Sequence, residues 1–192
     1  RLRTLDATIA HSAEIALLAA SRPRFNHLMA RHAHGTIMNA ERDEIQRILD
    51  DIVKNTAVAA LALHDARGEL VGQRGALAND RHFSAPLNSP DHLTILWDDR
   101  TVLRVRVPMK PNDEHVATLV VDVPMNAVDR LFTDFAGLGT RGTMGICMGL
   151  EKQLRCLPSR ANGYRVVTSD RFVNGEPVPM HYALTGASGV TA

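Results

Sequence analysis

The chain has 192 residues, 45% of them hydrophobic and only 4% aromatic, with a formal charge of +1. That apolar share is enough for a packed core and excludes a disordered chain. Near-neutral charge with few aromatics excludes a nucleic-acid binder built on a basic field or on base stacking.

Residues 2–33 read as helix, because Leu2, Leu5, Ile9, Ala16 and Ala20 recur at three- and four-residue steps. Pro23 lacks a backbone donor, so the helix is expected to stop before it or to kink and restart there. A second helix follows, with Asn39 as N-cap and residues 42–54 as its body. From residue 58 the texture changes to strands. Residues 58–65 and 69–74 form a hairpin around Ala66-Arg-Gly68. Residues 75–91 read as loop, with Pro86 and Pro90. Strands are expected at 93–97, 101–109 and 116–123, the last two joined by a turn at 110–114. A short helix at 126–135, a Gly-rich stretch at 137–145 and a hairpin follow. The tail is mostly irregular, with a strand at 164–168. Helices first and hairpin-linked strands after them define an α+β fold with an antiparallel sheet of about five strands. Its divisions are a helical stalk at 1–40, a sensor-like module at 41–125, and a linker helix with a truncated second α/β module at 126–192.

The longest apolar run of the first helix, Ile15 to Ala20, is too short to span a bilayer. The start at Arg1 and the close in Thr185-Gly-Ala-Ser-Gly-Val-Thr-Ala192 read as cuts from a longer chain, whose membrane helices would lie outside these residues. Cys147 and Cys156 face each other if the hairpin turns at Glu151-Lys152. A cross-strand disulfide suits that placement and an oxidising compartment; two unrelated buried thiols are the alternative.

Arg104 and Arg106 alternate with Leu103, Val105 and Val107, so both guanidiniums fall on one sheet face. Paired arginines there suit a small carboxylate or phosphate; a solvated face is the other reading. Trp97 on the preceding strand is a candidate apolar wall. Asp122 closes an apolar strand and suits either a ligand amine or an arginine partner. His64 and His92 are further pocket candidates. His27, His32 and His34 lack the four-residue step that stacks metal ligands on a helix, and His-Glu-X-X-His is absent. The sequence has no Gly-X-Ser-X-Gly elbow and no Walker loop; Gly137–Gly142 follows a helix instead of a strand. No catalytic residue, cofactor or metal is therefore expected. Leu2, Leu5, Ile9, Ser12, Ala16 and Ala19 form either a dimer seam or a stripe against the chain's own sheet.

The order of these elements, with "ALALHDARGELVGQRG" at 60–75, resembles the distal module of Cache-type, PAS-like sensor domains. The family's Asp-X-X-Gly turn matches Asp65-Ala-Arg-Gly68. The segment "LFTDFAGLGTRGTMGICMG" at 131–149 looks like the family's linker into a second module, and "ALTGASGV" at 183–190 resembles the end of a loop within it. The resemblance implies a periplasmic, ligand-binding or signal-relaying part of an inner-membrane receptor; the seam on the N-terminal helix adds the expectation of a homodimer. Its outputs would be a histidine kinase, a diguanylate cyclase or phosphodiesterase, or a chemoreceptor domain. It also implies that one sheet face packs on the long helix and the other forms the pocket. A ligand-free interaction or dimerisation domain is the rival class.

Overall fold

The computed structural model describes residues 2–33, 39–81, 83–87, 92–133, 147–149, 153–157, 165–170, 172–173 and 176–177. The chain forms two compact units, Arg1–Ala127 and Val128–Ala192.

The first unit opens with α1 (Leu2–Ala20) and α2 (Pro23–Ala33). The break falls at Ser21-Arg22, and Pro23 takes the first helical position, where its missing N–H costs nothing. Then comes α3 (Asn39–Asn55), whose Ile45, Leu49 and Ile52 form its buried stripe. Six strands follow: β1 (Ala60–Asp65), β2 (Leu70–Arg74), β3 (Phe83–Pro86), β4 (Leu93–Trp97), β5 (Thr101–Met109) and β6 (Ala117–Pro124). They make one sheet in the order β2-β1-β6-β5-β4-β3, with every pair antiparallel. The fold is thus α+β and PAS-like, with six strands in place of the expected five. The additional strand, β3, lies inside the stretch expected to be loop. It is only four residues long and ends in Pro86. It pairs with β4 alone, at a sheet edge that tolerates proline.

The central strands β5 and β6 are buried on both faces over much of their length, which is why they read as near-continuous apolar runs. Pro108 sits in β5 without disrupting it. Pairing with β4 ends at Val105↔Leu93, so the edge of β5 beyond that point has no ladder to break. The helices cover one sheet face: α1 packs on β5 and β6, and α3 on β2 and β1. Small residues let α1 approach closely. Ser12, Ala13, Ala16, Ala19 and Ala20 are all buried. The segment expected as a stalk therefore packs on the sheet, and Ser12, Ala16 and Ala19 of the expected seam are used within the chain.

The hairpin motif forms as the Asp-X-X-Gly reading requires. Asp65 Oδ1 accepts hydrogen bonds from Arg67 N and Glu69 N, both at 2.9 Å, and Gly68 N donates to Asp65 O at 3.0 Å. Gly68 has φ +85°, a left-handed conformation that glycine adopts without strain.

Charged contacts tie α3 to its neighbours: Arg22 to Asp51, Arg24 to Glu44, and Arg74 to Asp50. The Arg74 hydrogen bond holds the Asp50 carboxyl below the usual carboxylate range, and Arg22 does the same for Asp51. A carboxylate with a depressed folded-state pKa contributes stability above its unfolded value of about 3.9, and that contribution is lost as pH falls through the folded value. Asp50→Asn is therefore expected to melt below the parent at pH 6, with the gap closing below about pH 4. Thermal melts across that range check it; a gap that stays constant would mean the Asp50 charge contributes nothing.

The second unit contains the three-stranded sheet β7-β8-β9, from β7 (Cys147–Gly149), β8 (Gln153–Cys156) and β9 (Val167–Asp170). It also contains the two-stranded pair β10 (Phe172–Val173) and β11 (Glu176–Pro177). The expected strand at 164–168 lies further on, as β9. A short helix, α4 (Asn126–Thr133), carries the chain across the boundary between the units. The Gly-rich stretch at 137–145 and the tail at 183–190 lie outside the described residues.

Candidate functional site

Strand register sorts the site candidates by face. Ala60, Asp122, Arg104, Thr94 and Pro86 form one cross-strand row through β1, β6, β5, β4 and β3. The next row along β5 is Ala62, Val120 and Arg106, and the one after it His64, Thr118 and Pro108. Alternation puts all of these on the face opposite Leu61, Leu63, Val105 and Val107. The α1 side is identified by a groove of about 400 Å³ lined by Leu17, Asn26, Val107, Met109 and Lys110. Arg104, Arg106, Asp122 and His64 thus share the face away from that helix.

Their fates on that face differ. Arg104 forms a two-pronged ion pair with Asp122, donating from Nε to Oδ1 and from Nη2 to Oδ2, each at 2.7 Å. Both side chains are almost fully buried, at 8% and 3% exposure. The pair also grips the loop that leaves β2. Arg104 Nη2 donates to Ala78 O, and Ala78 N donates to Asp122 Oδ2, both at 2.7 Å. One residue on, Asn79 N donates to Asp98 Oδ2 at 2.8 Å. The loop is therefore pinned over this end of the face by a buried pair in which each charge is hydrogen-bonded to the other and to the Ala78 backbone, the condition under which a buried pair is tolerated. Of the two readings open for Asp122, the geometry gives the arginine partner.

Arg106 is exposed and has no ion-pair partner among the described residues. Its backbone N donates to His92 O at 3.3 Å. Pro108 beside it is also exposed. His64 is half-buried, and its Nδ1 is 3.1 Å from Gly68 O, which fixes the ring against the hairpin turn. His115 Nε2 lies 3.0 Å from Thr118 Oγ1, in the row of His64. The face therefore has a neutralised, loop-covered end at Arg104 and, at Arg106, an exposed cation without an ion-pair partner among the described residues.

Trp97 does not join them. It pairs with Thr101 and Phe83, whereas Thr94 and Leu96 are the β4 residues on the Arg104 face. Alternation sends Trp97 to the helix side, so it cannot be the wall of a pocket at Arg106. Asp98, the next residue, takes the loop side instead. Asp98 and the backbone of Ala78 are the site components the sequence reading missed. Asp98 could have been found by carrying the β4 alternation one residue past Trp97. Nothing in the sequence marks Ala78, because only its backbone is used.

His92 is exposed and has φ +49°; His27 is also exposed. Among the described residues no three His, Cys, Asp or Glu side chains come together to hold a metal ion. No described helix is long and apolar enough to cross a membrane. In the second unit Cys147 and Cys156 are register partners and are joined by a disulfide with S–S 2.02 Å.

No protein-family model and no curated protein sequence matches the chain.

Proposed function

We propose that the protein is the ligand-sensing part of a receptor and binds a small anion, a carboxylate or an amino acid, on the sheet face that carries Arg106. The single observation behind this reading is the division of labour between two neighbouring arginines. Arg104 is neutralised by Asp122 and roofed by Ala78, while Arg106, two residues along on the same face, is exposed and has no ion-pair partner among the described residues. A guanidinium at the partly open end of an apolar sheet suits an oxyanion, which it can contact through two parallel hydrogen bonds. His64 and Thr118 would supply further polar contacts in the adjacent row.

The relay in this reading runs through β5. That strand carries Arg106 on one face and, on the other, Val105 and Val107 toward the side on which α1 packs. A ligand that binds one position of β5 better than another would shift α1 with it, and only by its difference in affinity for the two states. In this reading, as in the Cache-type receptors that the sequence resembles, catalysis would belong to an output domain outside these residues. The Cys147–Cys156 disulfide supports an oxidising, extracytoplasmic setting.

A second reading, a ligand-free dimerisation domain, is favoured by one observation. Leu17 and Leu18 of α1 are exposed, at 42% and 62%. One experiment separates the two. The 192-residue chain is melted against a panel of small carboxylates and amino acids. A ligand at 100 times its Kd is expected to stabilise the fold by about 2.7 kcal/mol, and Arg106→Ala should abolish the rise in Tm. A panel without any response, together with a sedimenting species of twice the chain mass, would favour the dimerisation reading.

A further inference from the structure

We propose that the second unit is a redox-conditional module: its β7-β8-β9 sheet is held by the Cys147–Cys156 bond, and a dithiol reductant releases it while the six-stranded unit stays folded. Three observations carry this. First, the described pairing of β7 (Cys147–Gly149) with β8 consists of Cys147↔Cys156, Met148↔Arg155 and Gly149↔Leu154. A pairing of that length is marginal by itself. Second, among the described residues the buried apolar side chains of this unit are Val128, Leu154, Cys156 and Leu157, whereas the first unit buries side chains of three helices and a six-stranded sheet. β9, on the far side of β8, is exposed at every position. Third, the bond lies at the open end of the hairpin and closes a loop with a sequence separation of 9. Cross-linking a loop of that size is worth about 100-fold in the folding equilibrium.

The two sulfurs differ in access. Cys147 is half-buried on β7, whereas Cys156 is 9% exposed on the middle strand. A thiolate of the reductant therefore attacks Cys147 Sγ. The Sγ–Sγ bond breaks, and Cys156 leaves as a thiolate that takes a proton from solvent. The second thiol of the reductant then attacks the mixed disulfide. Cys147 is released as a thiol and the reductant departs as a cyclic disulfide, two electrons having passed to the cysteine pair. The first unit holds no disulfide and has nothing to lose in this exchange, because Cys147 and Cys156 are the chain's two cysteines.

The test is hydrogen exchange on the whole chain, oxidised or reduced with dithiothreitol and capped with iodoacetamide. Amides of β8 and β9 are expected to lose about 100-fold of their protection on reduction, while those of β1, β5 and β6 keep theirs. The double variant Cys147→Ser/Cys156→Ser should reproduce the reduced pattern with no reductant present. Unchanged protection in β8 and β9 would overturn the proposal, as would an equal loss in β5 and β6. So would two free thiols in the untreated protein.

Discussion

Asp122→Ala is expected to destabilise the first unit by about 3–5 kcal/mol, a fall in Tm of about 10–20 °C. The cause is not the loss of an attraction but the state left behind. Arg104 stays at 7% exposure with its guanidinium in place, now without the carboxylate that took two of its hydrogen bonds. Ala78 N loses its acceptor in the same step. The cost of an unpaired buried charge exceeds what the pair itself contributes. The double variant Arg104→Met/Asp122→Leu tests that distinction. Removing both charges removes the uncompensated burial, so it should recover much of the loss. Recovery should still be incomplete, because Ala78 N and O would both be left without these partners, at about 1–3 kcal/mol for each group that water does not reach. Equilibrium denaturation of the two variants measures this. A single variant within about 1 kcal/mol of the parent would contradict the assigned role.

Gly75→Ala is expected to cost about 2–4 kcal/mol, and its neighbourhood explains why. Gly75 has φ +67°, and a Cβ there would lie 2.4 Å from the Ala59 carbonyl oxygen and 2.9 Å from Ala60 Cβ. These obstacles belong to the backbone entering β1, so no side-chain rotation relieves them. Gly75 is where the chain leaves β2 for the loop pinned at Ala78. Gly68 provides the control. It has φ +85° but nothing within 4 Å of an added Cβ, so Gly68→Ala should show only the left-handed penalty of about 1–2 kcal/mol. The difference between the two variants isolates the steric contact, and equal losses would show that contact to be absent.

Features set by local chemistry were legible in the sequence. The Asp65-X-X-Gly68 turn follows from an aspartate that caps backbone amides and a glycine that accepts positive φ. Helix restart at Pro23 follows from proline's missing donor. The facing of Cys147 and Cys156 follows from counting outward from a hairpin centre. Features set by distant contacts were not legible. β3 is too short, and too close to prolines, to show a period. Period two places Arg104 and Arg106 on one face, but it does not say that a loop backbone at Ala78 roofs one and leaves the other. Trp97 reads as a neighbour of Arg104 only until register is applied, and register depends on which β4 residue faces Arg104.

In the proposed binding mode Arg106 is the cation that meets the ligand, while Arg104 remains occupied by Asp122. The most direct measurement is a ¹⁵N NMR titration of the arginine Nε–Hε signals with the carboxylate that raises Tm most in the panel. The Arg106 signal should move with ligand occupancy and saturate, and the Arg104 signal, held by Asp122, should stay where it is. A saturating titration in which Arg106 does not move, or in which Arg104 alone does, would contradict the account.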